Sequence, residues 1–382
     1  MITDRLDCRY HVLTDYRQDL SARNATLDMR FVEATKRDEE LRAKRRWFTS
    51  LCWNPVSKRL YCGQTHRMGN VLHAFDPATG AFEDLGFQDV AEDNDMKIHR
   101  GLWLDPDENA LYFGMATLSG IRTLLEAPGG RLMRYDIDAR RFDVLGIPLQ
   151  GNYIQATCYD PARKMLYAFL EPSKSFAAWS LNEGRLVRVS FVCSIVHVTE
   201  TDDEGRVWGT MGGKHAFFRY DPSENAFAFP EDCVLPSAEK ASGILYRGAG
   251  PVDCLMNGGD GYMYVTTGLG ELYRLDPKSH ALDYIGRPLP YLRAPAVRVG
   301  ADGYLYGVGG DNGMTFLFRC DRGSGSLEVL GHIAAEDGTA CYRPHDMVLA
   351  DDTAYVAETD SPGRSGYLWE CPAVVGSDAL PA

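Results

Sequence analysis

One short grammar recurs along this chain: an apolar strand-like run, an Asp-centred turn and a second run ending near Gly. It reads VLHAFDPATGAFEDLG at Val71–Gly86, RLMRYDIDARRFDVLG at Arg131–Gly146 and FFRYDPSENAFAF at Phe217–Phe229. It returns as LYRLDPKSHALDYIG at Leu272–Gly286 and LFRCDRGSGSLEVLG at Leu317–Gly331, with a degenerate copy at Phe176–Val189. Another strand-like run precedes each copy: LYCG at Leu60, LYFG at Leu111, LYAF at Leu166, VWGT at Val207, MYVT at Met263 and LYGV at Leu305; a seventh run, AYVA at Ala354, has no copy after it. Short strands repeated at a period of roughly 45 to 60 residues are the signature of a propeller or solenoid, because one such unit cannot bury its own apolar faces.

The innermost strand of each unit is read at Phe48–Trp53, His99–Leu104, Ile154–Tyr159, Val196–Thr201, Val252–Asn257, Pro295–Gly300 and His345–Ala350. Turns rich in Asn, Asp, Gly and Pro follow them, as tight hairpins require. The expected fold is therefore all-β: a seven-bladed propeller of four-stranded antiparallel blades over residues 47–382, preceded by an arm over residues 1–46. The last unit lacks an outer strand after Tyr367–Pro372, so a segment such as Cys8–Leu13 is expected to supply it and close the ring, removing exposed sheet edges. The charged stretch Arg30–Trp47 reads as a surface helix or an extended arm, and the insert Glu231–Gly250 as a flap over one face.

Composition narrows the function. The formal net charge of −13 argues against a nucleic-acid partner. No apolar run approaches the ~20 residues of a membrane span, and the amino terminus lacks the apolar run of a secretory signal. The ten cysteines show no Cys-x-x-Cys pair, which points to reduced thiols and a cytoplasmic setting.

In a propeller the starts of the innermost strands and the loops between second and third strands meet on one face around the axis. The chain places His99, Arg100, Tyr153, Gln155, His197, Asp253, Arg298, His345 and Asp346 at the first position. It places His66, Arg67, Arg122, Lys174, Lys214 and His215 in the loops, with Asp311, Asn312, Glu358 and Asp360 in the last units. Concentrated cations in an acidic protein suit an anionic ligand. The second-strand tyrosines, Tyr61, Tyr112, Tyr167 and Tyr264, read as packing, and so do His11, His73, His280 and His332. A ring of His99, His197 and His345 could hold a divalent metal, with Ca, Mn or Zn as the candidates, since imidazoles from different blades can share one ion.

At Lys97–Leu118, KIHRGLWLDPDENALYFGMATL, together with Arg59–Pro77, the chain resembles the seven-bladed propeller polysaccharide lyases, the group that includes ulvan lyases and lyases of rhamnosyl-glucuronate caps. The likeness covers most of residues 47–372. Its more specific part is the imidazole pair His66 and His99, followed by Tyr153. The resemblance implies β-elimination from a uronate-containing oligosaccharide or glycoside, with His and Tyr acting beside a cation. Such chemistry needs a neutralised carboxylate, a base and an acid. Tyr153 is cast as base, or as both base and acid, His99 and His66 as partner and acid, and Arg100, Arg67, Lys174, Lys214, Arg298 or His197 as groups that hold the small acidic carbohydrate. Two other readings stay open: a His-ligated metal enzyme such as an oxygenase or isomerase, and a non-catalytic propeller that binds a partner. A Glu-Asn-Asp calcium constellation of the lactonase kind is not found at the required repeat positions.

Overall fold

The computed structural model describes residues 5–18, 38–117, 127–194, 196–245, 249–290 and 293–376. It is almost entirely β, and its strands fall into antiparallel groups of four. Five of these are separate sheets. The remaining two, starting at Arg46–Asn54 and Lys97–Asp105, are joined into one eight-stranded sheet through the pair Thr65↔Lys97. The other groups start at Tyr153–Asp160, Glu200–Thr201, Val252–Asn257, Ala296–Val299 and Pro344–Ala350. The first strand of each group packs against those of its neighbours, and the seventh against the first, so the groups are the blades of a propeller around one axis.

The recurrent acids are the reason the hairpins recur. At the end of several first strands an Asn or Asp side chain accepts backbone N–H groups of the turn. Asn54 takes those of Val56 and Ser57, Asp105 those of Asp107 and Glu108, and Asp202 those of Glu204 and Arg206. A second set does the same after the third strands, at Asp76, Asp136, Asp221, Asp276 and Asp321. These local bonds fix the turn independently of the ladder. Between blades the cores are made of paired aromatic and aliphatic side chains, and the second-strand tyrosines belong there: Tyr112 and Tyr264 donate to Glu108 and Asp260.

The last sheet is completed by the amino-terminal strand. Arg9–His11 pairs antiparallel with Leu368–Cys371, in the register Arg9↔Glu370, Tyr10↔Trp369 and His11↔Leu368. Arg9 and His11 both reach the Glu370 carboxylate, and Tyr10 stacks on Tyr367 at 4.6 Å. Of the charged stretch before Trp47, the described part holds a six-residue helix, Glu39–Lys44, capped by the Asp38 side chain. No helix among the described residues is long and apolar enough to cross a membrane.

Five of the seven first strands carry a register shift near their start, and this positions the functional groups. The shifts fall between Phe48 and Ser50, Ile98 and Leu102, Ile154 and Ala156, Val252 and Cys254, and Pro344 and Asp346. A bulge takes residues out of the ladder and re-aims their side chains. The residues taken out are Thr49, His99 to Gly101, Gln155, Asp253 and His345. In the fourth and sixth groups the paired strand begins later, leaving His197 and Arg293 in the unpaired run before it.

A candidate metal centre on the propeller axis

Three of these re-aimed side chains converge. His99, His197 and His345, from the second, fourth and seventh blades, are each buried and each offer one ring nitrogen within 4.8 Å of the others. The His99 ring lies 5.1 Å, centroid to centroid, from both His197 and His345. Three atoms this close leave a point at most about 2.8 Å from each, against ~2.1 Å for a Zn–N bond, so small side-chain rotations would complete a three-nitrogen site.

The tautomer of His99 is set by its surroundings. Its Nδ1 lies 2.6 Å from the carbonyl oxygen of Gln155, the residue bulged out of the neighbouring blade. A ring nitrogen facing a carbonyl must carry the proton, so the neutral ring keeps its Nε2 lone pair free for the axis, as in metal-ligating histidines generally. His345 Nδ1 is buried and has no hydrogen-bond partner among the described residues. Burial, followed by the positive field of nearby cations, holds all three imidazoles well below their usual pKa. They are neutral at pH 7, which is the state a metal requires.

The cations are Lys97, Arg100 and Arg293. Arg100 sits in the three-residue bulge with φ of 44°, and its guanidinium crosses the axis. From the second blade it donates to the carboxylate of Asp253 on the fifth at 2.9 Å and to the carbonyl of Pro295 on the sixth at 3.3 Å. Arg293 grips the same carboxylate through two bonds, at 2.8 and 2.7 Å. Burial of Asp253 opposes its ionisation, but Arg293 and Arg100 outweigh it and hold the carboxyl below the usual range. Next to Arg100 the backbone leaves no room: a Cβ on Gly101 would lie 1.9 Å from Thr157 Oγ1. His345 and Arg100 also bound an axial cavity of about 310 Å³, lined by first-strand edges and by Glu200, Arg298 and Asp346. There Arg298 pairs with Asp346 at 2.6 Å, and burial lifts Glu200 to about 7.

The other expected site residues are placed as follows. Tyr153 is half-buried at the start of its strand and faces Glu171 across the ladder. Glu171 is buried beside Lys174, and desolvation raises it to about 7. Lys214 is exposed in the turn that carries His215, and Arg67 is half-buried. His66 does not join the axial group. Its Nε2 meets the carbonyl of Ala43 at 2.9 Å, and its charged neighbours are Arg46 and Asp84, within the first blade. Arg122 lies outside the described residues. The acids of the last blades are matched by their own arginines, Asp311 by Arg343 and Glu358 by Arg364, so they do not form a free acidic patch. Arg293, Lys97, Glu171 and Glu200 escaped the reading of the sequence. Arg293 alone left a trace, since it precedes its inner strand much as His197 does.

Fold and site together define a β-propeller with an axial cluster of neutral imidazoles ringed by cations. No family model and no curated protein sequence matches the chain. Solved structures do. The chain is similar to a streptogramin B lyase structure at 13% identity and a TM-score of 0.61, covering 84% of this chain and 92% of that one. It is similar to virginiamycin B lyase from Staphylococcus aureus at 12% identity and a TM-score of 0.60, covering 95% and 99%. It is also similar to the WD40 repeats of RRP9 at 11% identity and a TM-score of 0.60, covering 87% and 96%. At these identities the likeness is one of fold, and a propeller fold hosts many functions.

Proposed function

We propose that the protein is a metal-dependent carbon–oxygen lyase that opens a uronate-containing oligosaccharide or glycoside by β-elimination at the axial site. The observation that carries this reading is the convergence of three neutral imidazoles among the cations Lys97, Arg100 and Arg293. The all-nitrogen donor set suits Zn or Mn and disfavours Ca, which takes oxygen ligands. The propeller lyases among the structural neighbours are compatible with the reading, although they are lyases of streptogramin B and virginiamycin B and not of a uronate.

His99, His197 and His345 would hold the ion. A divalent ion there would offset the substrate's carboxylate charge and so acidify the neighbouring C–H bond. The residues of the chain do the rest. Arg100 and Lys97 add positive charge where the carboxylate would lie, and Asp253 keeps Arg100 across the axis. Tyr153, two residues before the Gln155 carbonyl that orients His99, would be the base. Lys174 and Lys214, on the turns of that face, would bind more distant acidic sugars. His99 acts here as a ligand, not as an acid, because its Nδ1 proton is committed to Gln155.

The test joins metal content to turnover. Purified protein should carry about one equivalent of transition metal and should raise the ultraviolet absorbance of an unsaturated uronate on glucuronate-containing oligosaccharides. Chelation and His197→Ala should abolish both, whereas Tyr153→Phe should abolish turnover and leave the metal. Bound metal with no elimination on any uronate would refute the lyase assignment; absence of metal would refute the centre.

A further inference from the structure

The strand that completes the last blade carries a feature unrelated to the axial site. The register Arg9↔Glu370 places Cys8 directly opposite Cys371, and the two sulfur atoms lie 2.8 Å apart. A disulfide needs facing Cβ atoms about 3.5–4.5 Å apart, and directly opposed cross-strand residues hold theirs about 4.5–5.5 Å apart, so a small local approach of the two strands suffices. The residues flanking the pair are committed to the same seam. Arg9 and His11 hold Glu370, Tyr10 stacks on Tyr367, and Cys8, Cys341, Cys371 and Trp369 share one buried cluster. The other cysteines are spread over the remaining blades.

We propose that Cys8 and Cys371 are a site of reversible oxidation whose disulfide locks the amino-terminal strand to the last blade and closes the propeller ring covalently. The co-reactant is a small disulfide of the glutathione class. The thiolate of one cysteine attacks a sulfur of that disulfide, breaking its S–S bond and releasing one small thiolate. The second cysteine's thiolate then attacks the mixed disulfide and releases the other. Two electrons pass from the protein thiols to the reagent, and the two thiol protons end on the two released thiolates.

Access runs through Cys8. It is 5% exposed against 1% for Cys371 and directly precedes the outermost strand of its sheet, so fraying of that three-residue strand bares it first. Burial pushes the Cys371 thiol up, so it is a slow attacker and the natural second step. The bond would close a loop spanning nearly the whole chain, where chain-entropy stabilisation is largest. It would act at the seam on which ring closure depends.

The test uses the full chain as purified, incubated with glutathione disulfide or with a reductant, then alkylated and digested without reduction. The expected product is a peptide containing Cys8 joined to one containing Cys371. The oxidised form should melt roughly 5 °C or more above the reduced one. That difference should vanish in Cys8→Ser, which replaces one sulfur by oxygen at the margin of the buried cluster, and in Cys371→Ser if it folds. Recovery of both thiols fully alkylated after oxidation would overturn the proposal. So would linkage of Cys8 to Cys341 in place of Cys371, or a Cys8–Cys371 link that leaves the melting temperature unchanged.

Discussion

Substitution of Asp253 by Asn tests the axial architecture most directly. Asp253 is fully buried and accepts three charge-assisted bonds from two guanidiniums: one from Arg100 at 2.9 Å and two from Arg293 at 2.8 and 2.7 Å. Asn keeps the shape but removes the charge, and it turns an NH2 group toward one of the guanidiniums. Two cations are then left buried without their counter-ion. Breaking one partner out of a buried ion pair costs about 3–5 kcal/mol, far above the value of an exposed pair. We expect a loss of that size at pH 7, read as a shift in the midpoint of urea unfolding at constant metal content. Removing one surplus charge, with Asp253→Asn combined with Arg293→Met, should recover part of it, because the three groups form one network. The pH dependence has a definite sign. The folded pKa of Asp253 lies below its unfolded value, so its stabilisation is present above about pH 4 and is lost as pH falls through the folded value. The gap between wild type and variant should therefore narrow in acid. A variant within about 1 kcal/mol of wild type at pH 7 would refute the strut.

Two further substitutions examine neighbouring parts of the site. Gly101→Ala should destabilise the fold by about 2–3 kcal/mol in a thermal melt and lower metal content, because its Cβ would strike Thr157 Oγ1 at 1.9 Å and displace the bulge that carries His99. Adding Thr157→Ala should restore only part, since the Thr157 backbone nitrogen remains 2.9 Å away. Glu171→Gln should change the pH profile of stability. Burial raises Glu171 to about 7, so between about pH 4 and 7 the native state keeps a proton that the unfolded state releases, and stability falls as pH rises. The Gln variant should flatten that slope and exceed wild type by about 1–3 kcal/mol above pH 8, and parallel melting curves across the range would refute it.

The fold was legible because its signals are local. Asp76, Asp136, Asp221, Asp276 and Asp321 close the same turn by the same side-chain bond, so chemistry that repeats in sequence repeats in space. Position in the repeat also placed His99, His197 and His345 on one face. What it could not supply was the direction of each side chain, which depends on bulges that leave no mark in the sequence. Arg298 is five residues beyond Arg293, yet it faces the axial cavity and pairs with Asp346, while Arg293 pairs with Asp253. His66 occupies a comparable loop position but turns back beneath the helix Glu39–Lys44, because the Ala43 carbonyl there accepts its proton. Glu171 could not be read as a perturbed acid, since only burial by neighbouring chain segments makes it one.

The charges around the three imidazoles constrain what can bind there. The rings are neutral, and Lys97, Arg100 and Arg293 outnumber the carboxylate of Asp253, so the shell as a whole carries excess positive charge. That excess opposes a bare divalent cation and favours an anion. A metal and a carboxylate therefore help one another. The ion draws the anion on to the axis, and the anion offsets the repulsion the ion meets from the two arginines and the lysine. By linkage each must raise the other's affinity by the same factor. A site built only to store metal would gain from acids in that shell. Here Asp253 is fully occupied by the arginines, and Asp346 in the adjoining cavity is paired with Arg298, which leaves the surplus charge to the ligand that arrives with the ion.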